Sequence, residues 1–227
     1  MVDAQMNDLS AIGVIILAAG ASTRLGTPKQ LLQYRGQSLL RHTAEVAIAS
    51  GCRPIIVVLG AQVERLEAEV MQLPVYVVEN NHWAEGMSSS IQTGLTVLQS
   101  IHPPVKAVVM LLCDQPFVSV SLVRQLIEAY HCTGKLIVAS EYADTVGVPA
   151  LFSCELFAEL MMLDAVTGAK QVIKQHIQEV YPVSFPAGAI DLNTLTDCEQ
   201  FEKMFNNNAD GSLEKHSNWS CVKKAWD

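Results

Sequence analysis

The chain has 227 residues, half of them apolar and 17 % charged, which suits one folded domain with a buried core and excludes disorder over most of its length. A net charge of −8, from 15 Lys+Arg against 23 Asp+Glu, excludes the broad basic face that a general nucleic-acid or anionic-membrane binder needs. Six scattered cysteines without a C-x-x-C pair exclude a disulfide scaffold or structural zinc site, and the longest apolar runs, 11–21 and 105–113, are too short to span a bilayer. The opening MVDAQMNDLS has no basic segment ahead of an apolar core, so the expected location is the cytoplasm, with reduced thiols.

In chain order, 12–17 (IGVIIL) is a continuous apolar run that reads as a buried strand. The loop that leaves it joins small residues, Ala18, Ala19, Gly20 and Ala21, to two cations, Arg24 and Lys29. Small residues let backbone N–H groups approach an anion, and the carboxyl end of a strand is where open α/β sheets bind ligands. Neither G-x-G-x-x-G nor the P-loop pattern is present: Ser22 stands where the second glycine would fall, and Gly26 is followed by Thr27-Pro28-Lys29. The alternative is a surface turn with incidental charges.

Ser38 caps a helix that stops at Gly51, and 55–59 (IIVVL) is a second strand, followed by Gly60 as either a turn glycine or room for a base. A helix over 64–71 and a strand over 75–78 come next. His82-Trp83 then precedes a third helix opened by Gly86-Met87-Ser88-Ser89-Ser90, whose N–H groups and hydroxyls suit a ribose, base edge or phosphate, or simply cap the helix. Trp83 suits packing under the loop more than stacking on a base. Gly94 inside this helix implies close backbone approach.

The strand 107–112 ends in Cys113-Asp114-Gln115-Pro116, where Asp114 is placed to hold Mg²⁺ or to cap the next turn, and Cys113 to pack. Ser119 caps a helix over 120–131, and 136–139 is another strand. A strand over 146–152 contains Pro149, implying an edge or a bulge. Helices near 154–163 and 168–178 and strands near 180–185 and 189–193 follow. Period 2 in the last of these puts Asp191 and Asn193 on one face. Thr196 and Glu199 form a capping box, and the sequence turns polar beyond Asn206. This alternation predicts a Rossmann-like, doubly wound α/β fold, a mostly parallel sheet between two helix layers, as one domain over 1–205 with a polar tail over 206–227.

L-A-A-G-x-S-x-R-x-G-x-P-K-Q-L-L at 17–32 resembles the signature of the MobA-like nucleotidyltransferases, and especially of the molybdenum cofactor cytidylyltransferases. C-D-x-P at Asp114, the segment Asp191-Leu192-Asn193-Thr194 and G-M-S-S-S-I-x-x-G-L at 86–95 resemble further motifs of that family. The resemblance implies a nucleotide-diphospho-sugar transferase type of fold, a Mg²⁺ cofactor and transfer of CMP from CTP to a phosphate-bearing acceptor. L-A-A-G, with Ala19, leans toward CTP over GTP. It implies Arg24, Lys29 and Asp114 as the catalytic set and Leu17, Ala18, Ala19, Gly20, Gly60, Gly86, Ser89 and Ser90 as further nucleotide contacts. Asp114 with Asp191 or Asn193 would hold the metal, Asp191 preferred for its charge.

The implied acceptor is the molybdopterin phosphate, with a molybdoenzyme or insertion chaperone as partner and neither nucleic acid nor membrane. The family's G-D-x-G-A is here Ala165-Val166-Thr167-Gly168-Ala169, which puts the acceptor in doubt more than the nucleotide chemistry, and Lys170 is equally an acceptor contact or a solvated charge. Rival readings are transfer from GTP or to a sugar or alditol phosphate, a nicotinamide-dependent oxidoreductase, and a non-catalytic nucleotide-binding module that delivers a cofactor.

Overall fold

A computed structural model describes residues 11–23, 25–101, 104–164, 168–192 and 197. Three strands form its centre: β1 (Ile12–Leu17), β4 (Ile55–Leu59) and β6 (Ala107–Leu112). All three are buried along nearly their whole length. Their alternate side chains enter two separate cores. Val14, Ile16, Val57 and Val109 face one layer, while Ile15, Leu17, Val58 and Met110 face the other. That is why these runs carry no polar face: each side of the sheet is roofed by helices.

The first layer is formed by α1 (Leu39–Ser50), α2 (Val63–Val70) and α4 (Val120–Thr133), through Leu40, Ala44, Leu66, Leu122 and Leu126. The second is formed by α3 (Met87–Ser100), α5 (Phe157–Met161) and α6 (Ala169–Gln175), through Ile91, Leu95, Leu160 and Val172. Burial of each of these leucine, isoleucine and valine side chains contributes roughly 1.5–3 kcal/mol. The predicted caps are present: Ser38 Oγ accepts from Arg41 N, Ser119 Oγ accepts from Leu122 N, and Gly51 ends α1 at φ 93°. Gly94 seats α3 directly on the sheet, where an added Cβ would lie 2.8 Å from Ile15 and 3.0 Å from Val58.

Beside these lie β5 (Tyr76–Glu79), β7 (Ile137–Tyr142), β8 (Thr145–Ser153) and β9 (Val180–Ser184), giving the order β5-β4-β1-β6-β8-β7-β9. Only β8 runs against the others. Pro149 sits within this interior strand and not at an edge. The ladder to β7 shifts register beside it, and Ser140 Oγ donates to Pro149 O at 2.6 Å. The small hairpin β2 (Gln33–Tyr34) and β3 (Gln37–Ser38) escaped prediction because each arm has two residues, too few for a period.

The strand expected over 189–193 does not form over its described residues, 189–192. Pro186–Ala189 is a 3₁₀ turn, and the chain continues as irregular backbone through Leu192. The capping box at Thr196 and Glu199 and the tail over 206–227 lie outside the described residues. No helix among the described residues is long and apolar enough to cross a membrane.

Candidate active site

Lys29 and Asp114 are 85 positions apart, yet Lys29 Nζ lies 2.5 Å from Asp114 Oδ2. Each is delivered by a strand's carboxyl end. β6 runs into Cys113 and Asp114, while β1 runs into the small-residue loop that Pro28 redirects into the 3₁₀ turn Lys29–Leu31. Since β1 and β6 are parallel neighbours, Leu17 opposite Leu112, both loops emerge on the same rim. Burial pulls the Lys29 ammonium down, but the charge of Asp114, with Cys113 and Asp191 behind it, outweighs this and leaves Lys29 above its ordinary value. The ion pair is therefore formed at neutral pH. Cys113 is inert, its thiol pushed up to about 12 by burial and by Asp114.

Asp191 joins the pair by a different route. Leu192 N donates to Asp114 O at 3.1 Å, and the Leu192 side chain is buried with Leu25, Leu32, Tyr34 and Leu39. This small core binds the Lys29 segment and the Asp191 segment into one unit. Burial first, and then the Asp114 charge, hold Asp191 above its ordinary value. Asp114 Oδ1 and Asp191 Oδ1 are both buried and have no hydrogen-bond partner among the described residues. Two orphaned carboxylate oxygens in one place fit a divalent cation, because buried acids otherwise find donors. Among the described residues no cluster of three or more His, Cys, Asp or Glu side chains is arranged to hold a metal, so phosphate and water would complete the shell, as magnesium favours.

The raised Asp191 has a stability consequence. An acid whose folded value exceeds its unfolded one favours the fold while protonated, and that contribution is lost as pH rises through the folded value. Asp191→Asn is therefore expected to raise the Tm of the metal-free protein at pH 7. The gap should close as pH falls through the raised Asp191 value, where the wild-type acid is also neutral; thermal melts across pH check this.

The phosphate-loop candidates take up the rim above the pair. Leu17, Ala18 and Ala19 are buried, whereas Gly20 is exposed and an added Cβ there would meet nothing within 4 Å. Gln30, 0 % exposed, holds the loop from beneath. Its Nε2 donates to Ala18 O and Gly20 O, both at 2.8 Å, and its Oε1 accepts from Ser22 Oγ at 3.3 Å. Arg24 and Asn193 lie outside the described residues.

The serine turn stands on the same rim. Gly86, at φ 124°, is conformationally required before α3. Asn80, buried just past β5, donates its amide to Ser89 Oγ at 2.9 Å and Ser90 Oγ at 3.0 Å, so it sets both hydroxyls. Ser88 Oγ donates to Asp164 O and accepts from Gly168 N, tying this turn to the segment near Lys170, which is itself exposed. The Cβ side of Gly60 is filled by Trp83. A Cβ on it would lie 2.6 Å from Trp83 Cβ and 2.8 Å from Ala19 O, so it seats Trp83 and the loop.

Sequence reasoning passed over Gln30, Asn80 and Gln115. Gln115 Nε2 donates to Val148 O and Gly188 O, and its amide also faces Asp191. Gln30 and Gln115 each stand directly beside a residue singled out as charged machinery. That adjacency was the available signal.

The family model for the MobA-like NTP transferase domain matches residues 14–180. The chain belongs to that family. Among solved structures, Rv0371c from Mycobacterium tuberculosis H37Rv is 30 % identical with a TM-score of 0.73, covering 86 % of this chain and 99 % of that one. Its manganese complex matches at 30 % identity and a TM-score of 0.66, over 85 % of this chain and 98 % of that one. Nicotine blue oxidoreductase from Paenarthrobacter nicotinovorans is 35 % identical over 125 residues, 55 % of this chain and 59 % of that protein. A probable molybdenum cofactor guanylyltransferase from Bacillus mycoides is 25 % identical over 120 residues, 53 % of this chain and 57 % of that protein. The chain thus spans less than two thirds of either curated relative.

Proposed function

We propose that the protein transfers CMP from CTP to a phosphate-bearing acceptor, of molybdopterin type, with release of pyrophosphate and with Mg²⁺ as its cofactor. The observation that carries this reading is the Lys29–Asp114 pair beneath the small-residue loop, with the orphaned oxygens of Asp114 and Asp191 alongside. In the reaction an acceptor phosphate oxygen forms a bond to the α-phosphorus of CTP, and the bond from that phosphorus to the bridging oxygen breaks, with the electron pair leaving on pyrophosphate. Such a displacement needs alignment and charge neutralisation more than a protein nucleophile.

The N–H groups of Ala19, Gly20 and Ala21 hold phosphate oxygens, and Arg24 adds its charge to the triphosphate. Lys29 leaves Asp114 to neutralise charge growing around the α-phosphate. Asp114 and Asp191 would hold the divalent ion, and Asn193 would add a carbonyl oxygen. When bound, that ion supplies neutralisation of phosphate charge and stabilises the departing pyrophosphate. Gly86, Ser89 and Ser90 meet the nucleoside, with Asn80 aiming the hydroxyls, and Gly60 acts by seating Trp83.

A test compares pyrophosphate release from CTP, GTP, ATP and UTP, each with Mg²⁺, with and without a molybdopterin-type acceptor. Acceptor-dependent release from CTP supports the proposal. Preference for GTP, or for a sugar or alditol phosphate acceptor, keeps the transfer and revises the substrate. Nucleotide binding without pyrophosphate release would mean a non-catalytic delivery module, a reading that the altered segment at Ala165-Val166 leaves open.

A second reading, oxidoreduction, draws on the nicotine blue oxidoreductase similarity. It predicts a thermal shift with NAD(P)H and none with Mg²⁺–CTP. The absence of G-x-G-x-x-G beside β1 speaks against it.

A further inference from the structure

The small-residue loop has no secondary structure of its own to hold it, yet its backbone is tied at alternate peptides by one side chain. Gln30 uses both amide hydrogens on Ala18 O and Gly20 O. A peptide unit is planar and trans, so its N–H points opposite to its C=O. Holding the carbonyls of Ala18 and Gly20 inward therefore turns the N–H groups of Ala19 and Ala21 outward. Neither N–H donates a hydrogen bond among the described residues. Between them Gly20 is exposed, and an added Cβ there would meet nothing within 4 Å.

The same side chain reaches the lysine. Ser22, at φ 54°, donates its hydroxyl to Gln30 Oε1 and accepts from Lys29 N at 3.0 Å. Two outward N–H groups and the Lys29 ammonium thus share one hydrogen-bonded frame, whose centre is a glutamine shut off from solvent. The buried Gln30 amide is fully paired, its NH2 with two loop carbonyls and its oxygen with Ser22 Oγ, so removing it would leave those loop groups without their partner.

We propose that Gln30 is the positioning residue of an anion cradle: it aims the Ala19 and Ala21 N–H groups, in register with Lys29, at the phosphates of a nucleoside triphosphate. This rests on the nucleotide reading of the loop and extends it to a residue that touches no substrate.

The test uses the full chain with Gln30→Met, which keeps length and volume and removes the amide, and with Ser22→Ala, which cuts only the link to Lys29. Inorganic triphosphate binding is measured by calorimetry without divalent cation, and Mn²⁺ binding by electron paramagnetic resonance without phosphate. The expected result for Gln30→Met is triphosphate affinity lowered about tenfold or more, the scale of a lost polar network, with Mn²⁺ affinity held within about twofold. A role in general packing would instead lower both affinities together, and that result overturns the proposal, as does unchanged triphosphate binding. If Gln30→Met does not fold, Ser22→Ala decides: weaker triphosphate binding with intact Mn²⁺ binding supports the proposal, and wild-type binding of both overturns it. Should the wild type bind inorganic triphosphate in this Gln30-dependent way yet turn over no nucleotide, the cradle stands and the transferase reading falls.

Discussion

Replacing Asp114 with asparagine is expected to lower nucleotidyl transfer by roughly 10²- to 10³-fold, the scale seen when one preorganised electrostatic partner is removed. The side chain keeps its size, so the loop after β6 keeps its place, and the backbone bond from Leu192 N to Asp114 O is untouched. What disappears is the charge that pairs with Lys29 and the orphaned oxygen beside Asp191. Mn²⁺ binding should fall with activity while the Tm changes little, because Lys29 retains some access to water. Pyrophosphate release and Mn²⁺ titration on the same sample check this. Wild-type turnover by Asp114→Asn would remove Asp114 from the reaction.

Lys29→Met is expected to give an equally inactive protein with the opposite metal behaviour. In the wild type the ammonium already occupies Asp114 Oδ2, so a divalent cation arriving alone has to displace it. Without Lys29 the buried Asp114 carboxylate has no paired cation among the described residues, and breaking a buried pair costs about 3 kcal/mol, the low end for such pairs because Lys29 is not wholly enclosed. The Tm should drop, and Mn²⁺ should bind more tightly than to the wild type and restore much of the lost stability. Transfer should nevertheless stay down by about 10²-fold, since the charge that neutralises the α-phosphate is gone. Unchanged or weaker Mn²⁺ affinity would mean that Lys29 and the cation do not compete for Asp114. Together the two variants separate holding the metal from neutralising phosphate, which a loss of activity alone does not.

Much of the scaffold was legible in the sequence because both layers of the core are written in local periodicity. Runs such as IGVIIL and IIVVL are apolar at every position, and that happens when both faces of a strand are covered. Ser38, Gly51 and Ser119 marked helix ends through capping chemistry that acts within a few residues. Of the proposed site, Lys29, Asp114, Gly20, Gly86 and the two serines stood out because charged, small or hydroxylated residues at the ends of buried strands have few other reasons to be there.

What only the tertiary structure decided depends on distance across the chain. That Lys29 meets Asp114, and that Asp191 joins them through Leu192 and the Tyr34 cluster, follows from sheet order and from a small second core that no local window contains. The same holds for Pro149, placed in an interior strand by the pairing of β8 with both β6 and β7, and for Gly60, whose open side Trp83 fills. Gln30 and Asn80 are polar residues whose burial nothing in the local sequence announces, and only the fold reveals that they are buried and bonded to the backbone and hydroxyls that form the rim. Patterning reports which face of an element is dry, whereas the meeting of two elements is set by register and packing.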